Sequence, residues 1–367
     1  MRRAARILLM AVLLSTLLSF TAFAEEWEEY GRQFDTEKVE QALPDSAGEL
    51  MEDVELSPGT DFSGALENIV RRALSGIGGT AKSALKSAVL ILTAAVICGV
   101  VGVLYTPSGG MDVLRLTGVL AVAAISAGDI NACVGLGRSM ITELSDFSKV
   151  LLPTLTATAA VSGAVTSAAA KYAAAALFMD ILITCVENLL IPLIYAYIAA
   201  VIAECALGGE GLAGAASFLK WLSTSLLTLI VLAFVVYLSV SGLVSGSADA
   251  ATVRVAKTAI STALPVVGSI VSDAASTVLL GASVIKSSVG AFGMLAVAAV
   301  CLAPVLKLAS HYLVYKGAAR LSAAISGGAL AKAAGSIGAA FGMVMGAMGA
   351  CAMMLFFSII SFVQAVS

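Results

Sequence analysis

The stretch WLSTSLLTLIVLAFVVYLSVSGLVSG, residues 221–246, decides the fold class. It holds no charged residue, and a bilayer core takes about 20 apolar residues as helix. Its serines and threonines do not spoil that reading, since a helix lets their hydroxyls bond back to its own carbonyls. Trp221 and Tyr237 are placed to act as interfacial anchors. A chain carrying such a segment is expected to be dissolved in lipid.

Working outward, uncharged stretches of similar kind recur. One span is expected within Ser87–Met111, centred on Ala88–Tyr105, and a second in Val113–Leu136, whose Arg115 and Asp129 must snorkel or find partners. Leu151–Ala170 is rich in Ala, Thr, Ser and Gly and should be buried among other helices. Tyr172–Leu207 is long for one straight span and short for two, which predicts a kinked or re-entrant pair broken near Glu187-Asn188 and Pro192. Ala263–Ile285, Val289–Leu306 and Ile337–Val363 supply further apolar segments. Gly137–Val150 and Ala248–Thr262 are polar and read as surface segments. The fold class is therefore all-α and polytopic, with six to eight crossings in a membrane domain over residues 87–367.

Composition agrees. The 367 residues are 59% hydrophobic and 12% charged, against roughly 45–50% and 25% in soluble domains. A net charge of -3 offers no excess of cations for a nucleic-acid backbone. A single His excludes HExxH-type metal sites, and the six cysteines are widely spaced and read as small hydrophobes. No cofactor or metal site is expected.

The charge is unevenly spread: +3 over residues 1–24, -12 over 25–68 and +6 over 69–367. Arg2, Arg3 and Arg6 precede a short apolar run, and Ala22 and Ala24 form a cleavage pattern, so residues 1–24 read as a signal peptide. Residues 25–61 are then an acidic exported segment, too poor in apolar residues for a core of its own, with a short helix expected around Phe34–Leu43. Residues 62–86 carry Phe62, Leu66, Ile69, Val70, Ala73, Leu74 and Ile77 at helical spacing beside Arg71, Arg72, Lys82 and Lys86. That predicts an amphipathic helix lying on headgroups or on a partner helix. Positive charges are divided too evenly among the short loops to orient the spans.

An offset of 112 residues superposes Leu152-Pro153 on Leu264-Pro265, Pro192 on Pro304 and Lys220 on Lys332. This weak internal repeat, with interrupted helices in both units, has the pattern of transporter-like folds.

Ionisable residues in the apolar zone are costly and hence candidate pathway residues: Asp180, Glu187 and Asp273 first, with Glu204 and Lys307 read as helix-end residues. Gly338, Gly342 and Gly346 form a helix-packing ridge, with the contact either internal or between subunits, and the methionines of the same helix read as adaptable packing. His311, in Ser310-His311-Tyr312, reads as interfacial. No serine or aspartyl intramembrane-protease motif and no P-loop is present. The chain is not expected to be an enzyme.

Leu151-Leu152-Pro153 with Ser162-Gly163-Ala164 and Ser167-Ala168-Ala169, Asn188-Leu189-Leu190-Ile191-Pro192, and the stretch Leu264–Ala274 followed by Thr277-Val278, Gly281-Ala282-Ser283, Ile285-Lys286 and Val289-Gly290 resemble the stage III sporulation protein AE family. The resemblance implies a subunit of the channel-like, secretion-related complex that joins mother cell to forespore and supports late forespore gene expression. It implies a place in the mother-cell membrane around the forespore, with the N-terminal segment outside the cytoplasm. The implied partners are the other products of the operon, including a secretion-type ATPase and ring-forming components, and a forespore-side membrane protein. It carries no catalytic residues. The rival expectations are a secondary transporter working alone and a purely architectural membrane anchor.

Overall fold

In hydrocarbon a backbone amide finds no partner except within its own helix or a closed barrel, so long apolar stretches rich in Ala and Leu become helices. The computed structural model describes residues 36–52, 54, 62–104, 113–161, 165–263, 268–326 and 328–363, with backbone alone at 36–37, 167 and 238–286. The signal peptide with Ala22 and Ala24, residues 25–35 of the acidic segment, and Leu264-Pro265 lie outside the described residues.

The helices in chain order are α1 (Thr36–Gln41), α2 (Asp45–Gly48), α3 (Phe62–Ser75), α4 (Gly78–Leu104), α5 (Val113–Val161), α6 (Val165–Cys185), α7 (Ile191–Leu207), α8 (Glu210–Ala263), α9 (Gly268–Ser326) and α10 (Gly328–Val363). No strand occurs among the described residues. Six segments among them are long and apolar enough to cross a membrane: Gly78–Leu104, Val113–Val161, Ala168–Leu207, Glu210–Tyr237, Ser287–Ser326 and Gly328–Val363. The protein is a polytopic α-helical membrane protein. At its centre stands α10, packed on α5, α6, α7, α8 and most extensively α9, while α4 lies against α5 and α9.

Two stretches expected as separate amphipathic surface segments are parts of continuous helices. Val113–Leu136, Gly137–Val150 and the start of Leu151–Ala170 form one helix, α5, and 248–262 belongs to α8. Gly137 does not break α5, because it lies so close to Val344 of α10 that only a residue without Cβ fits. Pro153 is accommodated inside the same helix. At 1.5 Å per residue the 49 residues of α5 reach about 74 Å, well beyond a bilayer of 40–45 Å with its headgroups. The charged portion of α5 carries Arg138, Glu143, Asp146 and Lys149. There α1 packs against it and Ser46 of α2 donates a hydrogen bond to Glu143. The acidic segment thus docks instead of folding alone, burying Val39, Ala47 and Met51.

Gly76 ends α3, and Lys82 and Lys86 belong to α4. Ile69 and Ala73 of α3 are buried, and the helix packs on α9 of its own chain, with Arg72 donating to the Glu49 carbonyl. The Leu151–Ala159 region is buried among helices, and Thr154 and Thr156 return their hydroxyls to the Val150 and Leu152 carbonyls.

The break expected near Glu187-Asn188 and Pro192 takes the form of a π-helical turn, Val186–Leu190, joining α6 to α7. Proline lacks an N–H and its ring crowds the carbonyl four residues before it, and one wider turn relieves both. The Ile191 N–H accordingly reaches the Val186 carbonyl. Its counterpart at the 112-residue offset, Pro304, sits inside uninterrupted α9.

Candidate functional site

The pathway candidates from sequence lie on the α6–α7 unit and on α9. Asp180 is exposed on α6, Glu187 is half-buried in the π-helical turn, and Asp273 lies in α9 with its side chain outside the described residues. What the structure brings together is a different set of polar groups, at two levels of the bundle.

The first lies where five helix ends meet. The C-terminal ends of α4, α7 and α9 and the N-terminal ends of α5 and α10 line a half-open cavity of about 680 Å³, whose walls include Arg115, Glu204, Cys205, Ser326 and Lys332. Arg115 is poorly placed for the dipole of its own helix, being in the first turn of α5. Its Nε donates to the Cys205 carbonyl at 2.6 Å and its Nη2 to the Glu204 carbonyl at 3.2 Å. The guanidinium therefore caps the negative C-terminal end of α7. The chain leaves that end through Gly208 and Gly209, both at positive φ (79° and 112°), a conformation that glycine adopts freely. Lys332 donates to the Glu204 carboxylate in a close ion pair. Glu204, read from sequence as a helix-end acid, is such an acid, and its partner is 128 residues away.

The second group lies deeper. Asp129 follows Arg115 by 14 residues on α5, about 21 Å along the axis. Its carboxylate accepts the Tyr315 hydroxyl at 2.7 Å, and His311 Nε2 stands 3.9 Å from its other oxygen. His311 Nδ1 lies 3.0 Å from the Lys307 carbonyl. Phe341 of α10 meets both rings edge-on, at centroid distances of 5.9 Å to His311 and 5.1 Å to Tyr315. His311 is buried between helices, with the acid of α5 facing it. Further along, Lys171 of α6 donates to the Ser361 carbonyl of α10 at 2.6 Å, and Tyr195 of α7 to Asn131 of α5 at 3.1 Å.

Of the glycine ridge, a Cβ on Gly338 would meet Tyr315 at 3.2 Å and one on Gly342 the Tyr312 ring at 3.3 Å, so both face α9 of the same chain. Gly346 has open space around it. Gly346→Ala is therefore expected to leave the thermal midpoint in detergent unchanged or to raise it, by up to about 1 kcal/mol of helix propensity. Gly338→Ala is expected to lower it. The closest glycine approaches lie off this ridge: Gly99 against the Ile325 carbonyl, Gly118 against Cys98, Gly137 against Val344 and Gly290 against Val363. Sequence inspection missed them because single glycines at helix crossings carry no repeating signature.

The inter-helix hydrogen bonds, the Glu204–Lys332 ion pair and the close helix contacts describe a membrane bundle held by specific polar links, with a cavity at one end. Among the described residues no cluster of three or more His, Cys, Asp or Glu side chains is arranged to hold a metal. Compared with known proteins, residues 48–366 match the family model described as Stage III sporulation protein AE. The stage III sporulation protein AE of Bacillus subtilis (strain 168) is 25% identical over 210 residues, which are 57% of this chain and 52% of that protein. The match thus spans about half the length of that relative. No solved structure matches.

Proposed function

From the chain's membership of the stage III sporulation protein AE family, we propose that it is the polytopic subunit of the channel-like, secretion-related complex between mother cell and forespore, needed for late forespore gene expression. That it is a sporulation membrane component rests on the family match over residues 48–366 together with six bilayer-length helices. The match is the observation that carries the proposal. The family description names no reaction, and we assign the chain no catalytic role.

In this reading the bundle sits in the mother-cell membrane around the forespore. The acidic segment, bonded through Ser46 to the charged portion of α5, is extracytoplasmic and meets partners between the two membranes. Those partners are the other products of the operon, among them a secretion-type ATPase and ring-forming components, and a forespore-side membrane protein.

Deleting the gene in its host is expected to abolish forespore-specific reporter expression after engulfment. Normal expression would remove the proposal. Asp180→Asn, Glu187→Gln and Asp273→Asn, each assayed for protein level and reporter expression separately, divide conduction from anchoring. Normal expression in all three removes these acids from any pathway, and lost expression at normal protein level keeps them in it. Solute movement by the purified chain alone in liposomes would instead favour the stand-alone transporter.

A further inference from the structure

We propose that Lys220, Lys316 and Arg320 form a binding site for the phosphate headgroup of an anionic phospholipid, on the outer surface where α8 meets α9. The inference stands on this surface alone and does not depend on the assembly proposed above.

Lys316 and Arg320 are four positions apart on α9, hence on one face of that helix and about 6 Å apart along its axis. Lys220 of α8 stands close enough to the Lys316 ammonium for the two charges to repel, as does Arg320. Lys316 is not free to swing away from them. Its ammonium donates to the Gly335 carbonyl of α10 at 2.9 Å and stands 5.7 Å from the centre of the Tyr312 ring. Lys220 and Arg320 are exposed and Lys316 is half-buried. Among the described residues no carboxylate pairs with any of the three. Glu210, the acid of the same helix end, precedes Lys220 by ten positions, about 15 Å. Two helices thus bring three cations together and supply no acid between them. An anion seated among the three turns that repulsion into attraction, and basic pockets between spanning helices take phospholipid headgroups in this way.

The neighbouring apolar groups select a lipid. Lys220 is the last charge before the uncharged stretch 221–246, so it stands where a span meets the headgroups. Trp221, 60% exposed, follows it, with its ring 5.9 Å from that of exposed Phe218. Such aromatic side chains settle at headgroup level. Farther along the same face of α8, Leu229, Leu232 and Val236 are exposed, and on α9 Leu313 and Leu321 flank the two cations. Cations at one end of an exposed apolar lane match a phosphate with acyl chains below it. Gly317, exposed between Lys316 and Arg320, has nothing within 4 Å of where a Cβ would stand, which leaves the phosphate room to approach α9.

Trp27 and Trp221 are the two tryptophans of the chain, so the full-length Trp27→Phe protein reports from Trp221 alone. It is reconstituted in phosphatidylcholine vesicles into which phosphatidylglycerol or phosphatidylcholine, brominated on the acyl chain near the headgroup, is titrated. Quenching of Trp221 reads which lipid occupies the site. Phosphatidylglycerol is expected to be preferred by about five-fold or more, the attraction of a single interfacial cation. Lys316→Gln combined with Arg320→Gln should bring the ratio close to one. Should that double variant not fold, Lys220→Gln, a change at an exposed position, takes its place and should lower the ratio. Equal quenching by the two lipids, or a ratio unmoved in the variant that folds, would overturn the proposal. So would loss of the preference when inorganic phosphate replaces chloride at constant ionic strength, because the cations would then be a site for the free anion.

Discussion

Replacing Lys332 by Met is expected to destabilise the protein in detergent by about 2–3 kcal/mol, the largest effect of any single exposed-side change. Lys332 is about half exposed, whereas the Glu204 carboxylate it pairs with is only 11% exposed. Removing the cation saves little desolvation and strands a carboxylate in the cavity wall. Breaking a fully buried pair from one side costs about 3–5 kcal/mol, and the wetter Lys end argues for a value at or below the bottom of that range. Arg115 does not substitute, because its guanidinium is committed to the carbonyls at the end of α7. Adding Glu204→Gln should recover most of the loss, since a neutral amide needs no counter-charge. Thermal unfolding of the three variants checks this. If Lys332→Met unfolds with the wild type, the cavity wall is wet enough to hydrate Glu204 and the ion pair contributes nothing.

Gly137→Ala is expected to be destabilising even though alanine is the better helix former by about 1 kcal/mol. Its Cβ would fall inside the contact shell of Val344 Cγ1, and Val344 is buried in the central helix with a stiff β-branched side chain. Overpacking of this kind costs about 1–3 kcal/mol. Val344→Ala should restore room, so the double variant Gly137→Ala with Val344→Ala should be more stable than the sum of the two single losses predicts. Strict additivity in thermal unfolding would mean that α5 and α10 do not meet at this point. A smaller effect, under about 1 kcal/mol, is expected for Tyr195→Phe, which removes the hydrogen bond to Asn131 between α7 and α5.

The positions that sequence reading singled out divide along a physical line. The break near Glu187 and Pro192 was legible because proline acts on its own helix, whatever surrounds it. The docking of α3 was only half legible. Its apolar stripe with Ile69 and Ala73 is written at helical spacing, but whether lipid, a partner or α9 covers it is not. Gly137–Val150, read as a polar, amphipathic surface segment, was half legible: its four charges are visible in the sequence, its continuity with the helix on either side is not. In the protein the same residues are an uninterrupted part of α5, where Ser46 of the acidic segment bonds Glu143. His311 was read as interfacial from its place near a span end beside Lys307 and Lys316, and the acid that faces it, Asp129, lies on another helix, 182 positions earlier.

Sequence by itself determined that the chain is a membrane-spanning helical bundle with an acidic segment before it, because the cost of placing peptide groups in hydrocarbon is local and can be summed along the chain. Tertiary structure alone decided which charges meet. Glu204 with Lys332, Arg115 with the end of α7, and Asp129 with His311 and Tyr315 are pairings between helices far apart in the chain. An intramembrane charge demands a partner by its energy, yet nothing in its sequence neighbourhood specifies the rotation and neighbour that supply one.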